Sequence, residues 1–394
     1  MADGLELDEY IAQMKDQVIA WRHHLHANPE LSFEEEKTSQ YVFEQLQAIG
    51  GLELSRPTRT SVVARLVGPH PGKVLAIRAD MDALPITEES GVEFASQSPG
   101  VMHACGHDGH TAMLLGTVKL LVALRDRLHG EVRFFFQHAE ELLPGGAQEM
   151  VKAGVMTDVD NIIGIHLRSM LPTGKLRVGA GAMSAASDKF YLTIHGKGGH
   201  AAYPHQTIDS IAIATQVVTN LQMIVSRNVD PLKSVVLSVT RFVAGTATNI
   251  IPGSVEIWGT VRLLDPTLRE VVPPLLERVI KGVTAAHGAT YDLRYEFGYL
   301  PVVNDADIAA TVQSALVDAF GEDAIEPAQP SLGGEDFSAF LAEKPGTFFY
   351  LGGANPAEAE HFPHHHPKFR IDDEALPLGV KAFAAATFRL LGSA

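Results

Sequence analysis

The chain has 394 residues, a length that at roughly 100–200 residues per domain predicts two domains. Its 31 basic and 47 acidic residues leave a net charge of −16, so no nucleic-acid partner is expected, although one local arginine can still bind a small anion. The hydrophobic content of 46% is typical of a globular protein and excludes large-scale disorder.

The single cysteine, Cys105, excludes an internal disulfide and favours a reducing compartment. The start, from Met1 to Gln17, is acidic and amphipathic, which is not the pattern of a signal peptide. The apolar run from Met113 to Leu124 contains Lys119 and is too short to cross a bilayer. We therefore expect a cytoplasmic protein with no membrane partner.

The first half of the chain alternates helices and strands. Residues 1–50 are predicted to be helical, with a capping box formed by Ser32 and Glu35. Buried strands are predicted at 74–77, 132–136 and 162–165, and a helix at 111–128. This alternation predicts an α/β fold with a mostly parallel sheet that is covered on both faces.

The pattern changes after Gly181. The next predicted elements are a strand at 190–194, a helix at 207–225, strands at 234–243 and 255–264, a helix at 267–287 interrupted by Pro273–Pro274, and a strand at 290–297. This β-α-β-β-α-β order is typical of a small two-layer α+β domain. A later strand at 347–351 restores the first pattern. We expect residues 1–182 and 298–394 to form one domain, into which residues 183–297 are inserted.

Charged side chains follow three of the predicted strands. Asp80 and Asp82 follow the first strand, Glu140 and Glu141 the second, and His166 the third. Each alone is typical of a solvated loop. Because the ligand crevice of an open α/β sheet lies outside the carboxyl ends of its strands, together they predict a site.

The segment from His103 to His110 holds three histidines, an aspartate and the only thiol. These side chains are zinc-type donors, and a short glycine-interrupted loop lets them converge. Adjacent Glu140 and Glu141 would do different jobs, one binding metal and the other acting as general base. One of His364, His365 and His366 is a further candidate ligand, since steric crowding disfavours all three together. We interpret the early histidines, His23, His24 and His26, as structural or peripheral.

Polar residues in and near the inserted segment supply other roles. By their chemistry, His200 is a candidate oxyanion donor, Asn249 a polar orienter and Arg262 a carboxylate clamp. Such residues also occur on ordinary turns and strand edges. The backbone of Gly333 and Gly334 could bind an anion, although a plain helix-entry turn explains it equally well.

A thiol nucleophile and a nucleotide-binding loop are the alternatives to a metal site. Cys105 could be a thiol nucleophile with His107 as its base, but that leaves Glu140, Glu141 and His166 without a role. Phosphate-loop and dinucleotide sites are not expected, because the sequence contains neither GxxxxGK[ST] nor a strand-linked GxGxxG.

Several motifs in order carry a family resemblance. They are Trp21 to Ser32, Arg78 to Pro85, His103 to His110, Glu140–Glu141, Gly199 to Ala202 and Gly334 to Phe337. On these motifs the chain resembles, over nearly its whole length, the M20 metallopeptidases. The resemblance is to the amidohydrolase branch, which contains aminoacylase-like, hippurate hydrolase-like and auxin-conjugate hydrolase-like enzymes.

The resemblance implies two divalent metal ions per subunit, of zinc, manganese, cobalt or nickel. Their implied ligands are Cys105 at or near the bridging position, His107 and His166 on one ion, and Glu141 and His365 on the other. His365 begins the family pattern His-x-Pro-x-Phe, although its neighbours His364 and His366 depart from the usual small or polar residues. Asp80 and Asp82 are implied as supporting residues near the metals.

The resemblance also implies how the site works. Glu140 is the implied general base, and His200 stabilises the oxyanion together with a metal. Arg262 and the backbone of Gly333 and Gly334 are candidates to hold the substrate α-carboxylate. Residues 1–182 and 298–394 become the catalytic metal-binding domain. The inserted 183–297 becomes a dimerisation or lid domain, with His200 and Asn249 acting across a homodimer.

The expected function is metal-dependent hydrolysis of the amide bond of N-acyl-L-amino acids (N-acetyl, benzoyl or similar) to a carboxylate and a free amino acid. The alternative is a metallo-exopeptidase, either a carboxypeptidase or a dipeptidase. A non-catalytic binding protein on the same scaffold is a third reading, against which the intact Glu140 argues.

Overall fold

The computed structural model of the chain describes residues 4–392, so the ends of the larger predicted domain, residues 1–3 and 393–394, lie outside the described range. The chain divides into two units. The first comprises residues up to Met183, Val302–Gln329 and residues from Asp336 on, and the second comprises Ser184–Pro301 and Pro330–Glu335. The division into an independently folding domain of residues 1–182 and 298–394 and an inserted domain of residues 183–297 stays a prediction.

Within residues 4–392 the chain forms nine α-helices. They are α1 (Gly4–Ala27), α2 (Glu36–Ile49), α3 (His107–Ala123), α4 (Gly146–Lys152), α5 (Ser210–Met223), α6 (Val272–Ala286), α7 (Ala306–Phe320), α8 (Ser338–Leu341) and α9 (Ala375–Leu391). None of these described helices combines the length and the apolar character needed to cross a membrane.

The strands of the same range fall into two large sheets and two short pairs. They are β1 (Glu53–Ser55), β2 (Val62–Val67), β3 (His70–Asp80), β4 (His129–Gln137), β5 (Asn161–Pro172), β6 (Leu176–Val178), β7 (Gly181–Ala182), β8 (Ala186–His195), β9 (Gly199–His200), β10 (Val235–Val243), β11 (Ile250–Ile251), β12 (Ser254–Leu263), β13 (Thr290–Glu296), β14 (Val303–Asn304), β15 (Ile325–Pro327) and β16 (Gly346–Ala354).

The larger sheet has the order β1-β2-β4-β3-β5-β16-β6-β15. Its central strands β4, β3, β5 and β16 run parallel to one another, which confirms the predicted mostly parallel α/β sheet. Helices α1, α3 and α9 cover one face with a large apolar core, and α4 and α8 cover the other with a smaller one. Burial on both faces explains the nearly continuous apolar runs in these strands.

Strand β5 shows how the two faces divide its side chains. Ile163, Ile165 and Leu167 belong to the large core, while Ile162 belongs to the smaller core with Phe348 and Tyr350 of β16. Because side chains alternate along a strand, His166 lies on the face of Ile162. The imidazole therefore emerges from the smaller core, beside β16.

The second unit contains a four-stranded antiparallel sheet of order β10-β12-β8-β13. Helices α5 and α6 pack against it around a separate apolar core. The chain order β8, α5, β10, β12, α6, β13 is the predicted β-α-β-β-α-β order. Pro273 and Pro274 lie in the first turn of α6 and do not interrupt it, because a helix lacks backbone acceptors for the first N–H groups.

The predicted capping box is wrong. The N-terminal helical segment is split into α1 and α2 by non-helical residues 28–35. The Ser32 hydroxyl donates to Asp82 Oδ2 at 2.6 Å, and α2 has no side-chain cap. Glu35 is fully buried and accepts the N–H of Ala139 at 2.8 Å. Tertiary partners thus replace the local pairing that the sequence spacing predicts.

Two predicted boundaries near the candidate site also move. Helix α3 begins at His107, four residues before the predicted start, so half of the expected loop is a helical turn. Strand β5 continues to Pro172, so His166 lies within the strand and does not follow its end. In both cases the element extends because neighbouring elements bury it, which periodicity within the segment does not reveal.

A buried charged cluster joins α1 to α3. Arg22 Nε lies 3.1 Å from Asp108 Oδ2, and His26 Nδ1 lies 2.9 Å from the same oxygen. His26 Nε2 also lies 3.0 Å from Glu88 Oε1. Burial opposes the charged imidazole, but the bonds to Asp108 and Glu88 raise the pKa of His26 to about 9.

We expect His26 to make stability depend on pH. Its folded pKa of about 9 exceeds the ordinary 6.5, so its contribution is complete below pH 6.5 and is lost as the pH rises through 9. The unfolding free energy of the wild type should exceed that of His26→Gln by a margin that shrinks by about 3 kcal/mol over this range. Denaturant titrations of both proteins at pH 6 to 10 measure the margin.

The matched control is His195→Gln, because His195 pairs with Asp292 at an exposed position of the second unit. This variant should show a small margin at every pH, since solvent screens the pair. A His26→Gln margin that stays constant between pH 6 and 10 would contradict the buried ion pair.

Candidate metal centre

The first unit brings several predicted donors to one edge of the large sheet. Asp80 is the last residue of β3, Asp82 lies two residues later, and both are buried. The other residues at this edge are Cys105 and His107 at the start of α3, Glu140 and Glu141 after β4, and His166 in β5. Gly106 opens α3 with a φ of +92°, a conformation that glycine adopts without strain.

Cys105 is the donor around which the others gather. Its Sγ lies 3.5 Å from His166 Nε2. The donor atoms of Cys105, His107 and Glu141 all lie within 4.8 Å of one another. Glu141 Oε1 in turn lies 3.1 Å from His365 Nε2. Thiol, imidazole and carboxylate groups at such separations can converge on shared cations.

The orientation of His107 fits a metal ligand. Its Nδ1 lies 2.9 Å from the main-chain oxygen of Asp82 and 3.2 Å from Asp82 Oδ1. Its Nε2 is buried without a hydrogen-bond partner among the described residues. A carbonyl or carboxylate that holds one ring nitrogen leaves the other with its lone pair toward a metal. The donor set therefore fits the divalent ions that the sequence implies.

Asp80 belongs to a buried network behind these donors. Its carboxylate lies 2.8 Å from Arg78 and 2.6 Å from His110 Nδ1. Burial alone would raise the pKa of Asp80, but the charges of Arg78, His107 and His110 lower it well below its usual value. Arg78 also lies 2.9 Å from Asp336. Asp80 is thus held ionised by partners that also fix its position.

The two consecutive glutamates share one bend. Glu140 Oε2 and Glu141 Oε1 each lie 4.0 Å from His107 Nε2. Ala139 just before them has a φ of +49°, and the Glu141 N–H donates to Asp82 Oδ2 at 2.9 Å. The bend allows adjacent side chains, which leave an extended strand on opposite sides, to reach one centre.

Glu35 supports this bend and was missed as a functional residue. Its Oε1 accepts the N–H of Ala139, and its Oε2 accepts the hydroxyl of Thr60 at 3.1 Å. Burial, reinforced by the charge of Asp82, raises the pKa of Glu35 to about 7. The local sequence carried only a helix-cap signal, so nothing in it pointed to a partner about a hundred residues away.

The late histidines differ in what they reach. His365 has a φ of +67°, and its N–H donates to Ala104 at 2.8 Å. His364 Nε2 lies 2.9 Å from the oxygen of Leu167, and a donor atom of His364 groups with Cys105 and His166. His366 accepts the N–H of Lys368 and faces away into its own turn. Two of the three thus approach the donors from one loop.

Predicted site residues in the second unit form two groups. His200 and Asn249 are neighbours, since β9 pairs with β11 and the Ala201 N–H donates to the oxygen of Asn249 at 3.0 Å. Arg262 of β12 is half-buried opposite Ser187 of β8, and no ion pair joins it to a described residue of its unit.

The glycine pair lies near Ser187 as well. A Cβ on Gly334 would meet Ser187 Oγ at 3.0 Å, so only glycine permits this close approach. The Gly333 N–H already donates to Ser331 Oγ at 3.1 Å, which leaves the Gly334 N–H as the candidate anion donor.

The chain is similar to known hydrolases over most of its length. Residues 76–389 match the model of peptidase family M20/M25/M40. The chain is 65% identical over 299 residues to an N-acyl-L-amino acid amidohydrolase of Geobacillus stearothermophilus, which covers 76% of this chain and 81% of that protein. It is 41% identical over 382 residues to thermostable carboxypeptidase 2 of Saccharolobus solfataricus, which covers 96% of both.

A solved structure agrees with the fold. It is a Bacillus subtilis protein described as a dinuclear metal-binding peptidase of the M20 family, and it is 36% identical with a TM-score of 0.85. The match covers 97% of this chain and 100% of that chain.

We expect Asp82→Ala to weaken metal binding by about 10- to 100-fold, because the His107 ring and the Glu141 backbone lose a partner. Competition with a chromogenic chelator measures the affinity directly. Asp160→Ala is the matched control, since Asp160 accepts the N–H of Val74 at the start of the buried part of β3. Equal affinities in Asp82→Ala and the wild type would contradict the orienting role of Asp82.

Proposed function

The chain belongs to peptidase family M20/M25/M40, and from this premise we propose that it is a metal-dependent amidohydrolase of N-acyl-L-amino acids. The products are a carboxylate and a free amino acid. The observation that carries the proposal is Glu140 beside a group of donors that includes Cys105, His107 and Glu141. The 65% identical relative, named as an N-acyl-L-amino acid amidohydrolase, supports the substrate class.

We assign the donors to two divalent ions, which could be zinc, manganese, cobalt or nickel. His107 and His166 would hold one ion and Glu141 and His365 the other, and Cys105 would be a further, thiolate ligand. When bound, such ions acidify water and polarise an amide carbonyl. Asp82 supports His107 and Glu141 through the hydrogen bonds described above. Asp80 is the other proposed supporting residue, and its Oδ2 lies 3.5 Å from His107 Nε2.

Glu140 is the proposed general base. Its carboxylate lies at the edge of the donor group, 4.0 Å from His107 Nε2. In this role Glu140 takes a proton from the attacking water and returns it to the leaving amine, so the amine departs neutral. The backbone bend around Ala139 keeps this carboxylate beside that of Glu141.

A cysteine nucleophile is less consistent with the site. Burial and the charge of Glu141 raise the pKa of the Cys105 thiol. A protonated thiol is a poor nucleophile near neutral pH, whereas a cation would favour the thiolate as a ligand.

The second unit supplies the proposed substrate-binding residues. The Ala202 N–H donates to His200 Nδ1 at 3.1 Å, so the neutral ring carries its proton on Nε2. That N–H is a suitable donor to an oxyanion, and Asn249 lies beside it. Arg262 and the Gly334 N–H, both next to Ser187, are proposed to hold the α-carboxylate, with Gly333 shaping the turn.

We also propose a homodimer paired through the second unit. Strand β10 is an edge of its sheet, and its end exposes Phe242 and Val243, with Trp258 exposed on neighbouring β12. Exposed apolar side chains on an edge strand favour pairing with another chain. Sedimentation equilibrium tests this, and a monomer at micromolar concentration would contradict it. A reducing cytoplasm is proposed because Cys105 must remain a free thiol.

A substrate panel tests the function. N-acetyl, N-benzoyl and longer N-acyl-L-amino acids are assayed beside dipeptides and unblocked peptides, each with zinc, manganese, cobalt or nickel. We expect turnover of N-acyl amino acids that a chelator abolishes. The carboxypeptidase relative favours the exopeptidase alternative, and faster cleavage of peptides than of any N-acyl amino acid would establish that alternative instead.

We expect Glu140→Gln to bind metal as the wild type does and to lose about 100-fold or more in kcat, since a positioned acid–base group contributes on this order. Metal content by plasma emission and initial rates measure the two properties. Glu149→Gln is the matched control, because Glu149 only contacts His138 on the surface of α4. Retained turnover in Glu140→Gln would exclude Glu140 as the base.

A further inference from the structure

One arginine beside the metal donors, Arg168, has no acidic partner among residues 4–392. Arg168 lies in β5 two residues after His166, so both side chains leave the same face of the strand. In the neighbouring strand β16, Tyr350 pairs with His166 and Gly352 pairs with Arg168. Gly352 has no side chain to contact Arg168, because the main chain of Pro172 lies where its Cβ would be. The guanidinium is therefore delivered to the region of His166.

Stacking holds this guanidinium in place. The carbon atom Cζ of Arg168 lies 4.1 Å from the centre of the Tyr350 ring, and the side chain is half-buried. The ring of Tyr350 lies 6.4 Å from that of His166, and the ring of His364 lies 5.1 Å from that of His166. Arg168 is thus fixed next to two imidazoles of the candidate metal centre.

Other arginines of this sheet have carboxylate partners. Arg78 lies 2.8 Å from Asp80, Arg133 lies 2.6 Å from Glu131, and Arg177 lies 2.7 Å from Glu326. For Arg168, no ion pair or hydrogen bond joins the guanidinium to any described residue of its unit. A half-buried fork of N–H donors without an acceptor is complementary to a carboxylate that comes from outside the chain.

We propose that Arg168 is a specificity-determining residue that binds a carboxylate of the substrate and makes the enzyme select acidic substrates. This inference rests on the proposed amidohydrolase function. The carboxylate has two sources: a carboxylate at the end of the acyl chain, or the α-carboxylate of the amino acid, in which case Arg168 takes the role proposed above for Arg262. In either case the planar guanidinium binds it in a bidentate manner, with Tyr350 fixing the plane.

Two matched substrate pairs distinguish the sources. N-acetyl-L-methionine against N-acetyl-L-methioninamide tests the α-carboxylate, and N-glutaryl-L-methionine against N-pentanoyl-L-methionine tests the acyl chain. Each pair is assayed with the metal-loaded wild type, Arg168→Met and Arg168→Lys. Methionine keeps the unbranched apolar stem of the side chain and removes the charge, whereas lysine keeps the charge and loses the fork.

In one pair, Arg168→Met should lower kcat/KM for the member with the tested carboxylate by about 10- to 100-fold, chiefly through KM, because a charge-assisted hydrogen-bonded pair is lost. The member that lacks this carboxylate should change little, and Arg168→Lys should lie between. The pair that responds identifies the carboxylate. A selectivity for the member with the tested carboxylate that Arg168→Met leaves unchanged in both pairs overturns the proposal.

Arg56→Met is the matched control. Arg56 also stacks on an aromatic ring, 4.6 Å from the centre of Phe43, but it is exposed and contacts α2. Arg56→Met removes the same charge as Arg168→Met. A matching loss of selectivity in this control would therefore show a general effect of net charge and overturn the proposal. Thermal unfolding of all variants separates loss of binding from loss of fold.

Calorimetry separates this inference from the proposed function. N-glutaryl-L-methionine and N-acetyl-L-methionine are titrated into metal-loaded Glu140→Gln, with and without Arg168→Met. If the wild type cleaves none of the four compounds, the function fails, and Arg168 is still tested by this binding. Affinity for either acidic compound that falls with Arg168→Met supports the proposal, whereas equal affinities overturn it.

Discussion

The hydrogen bonds made by Asp82 are the interaction on which the candidate centre depends. Its main chain and carboxylate hold His107, and its other carboxylate oxygen accepts from the Glu141 N–H and the Ser32 hydroxyl. One buried residue thereby ties the start of α3, the bend after β4 and the loop after α1. Because donors from separate elements converge only if those elements are held together, removing Asp82 disturbs all three at once.

Several buried charges in the first unit are matched by opposite charges. Asp80 lies against Arg78, and Asp108 lies against Arg22 and His26. Isolated charges are costly away from water, so pairing is the rule for such groups. Arg168 in the first unit and Arg262 in the second depart from this rule, because neither has an ion pair with a described residue of its own unit. Both departures are explained if a substrate supplies the missing carboxylates. A chain of net charge −16 can still bind such an anion through a local arginine.

Much of the fold and most of the donor identities could be predicted because they depend on short-range patterns. Apolar runs in β3, β4 and β5 predicted a sheet buried on both faces, and residue chemistry predicted a metal site around Cys105. Glu35 was missed because its partner Ala139 is distant in sequence. Arg168 was missed because an arginine without a partner looks, in a sequence, like any solvated one.

The sequence by itself determined the family, the α/β class, and the thiol, imidazole and carboxylate groups available for metal and proton chemistry, since these follow from residue types and their local order. Only the tertiary structure decided that Ser32 and Glu35 serve distant partners, that His166 lies within β5, and that Arg168 stands unpaired beside it. The physical reason is that buried polar groups take whichever partner the packed fold brings within hydrogen-bond reach, and that choice depends on contacts between segments far apart in the chain.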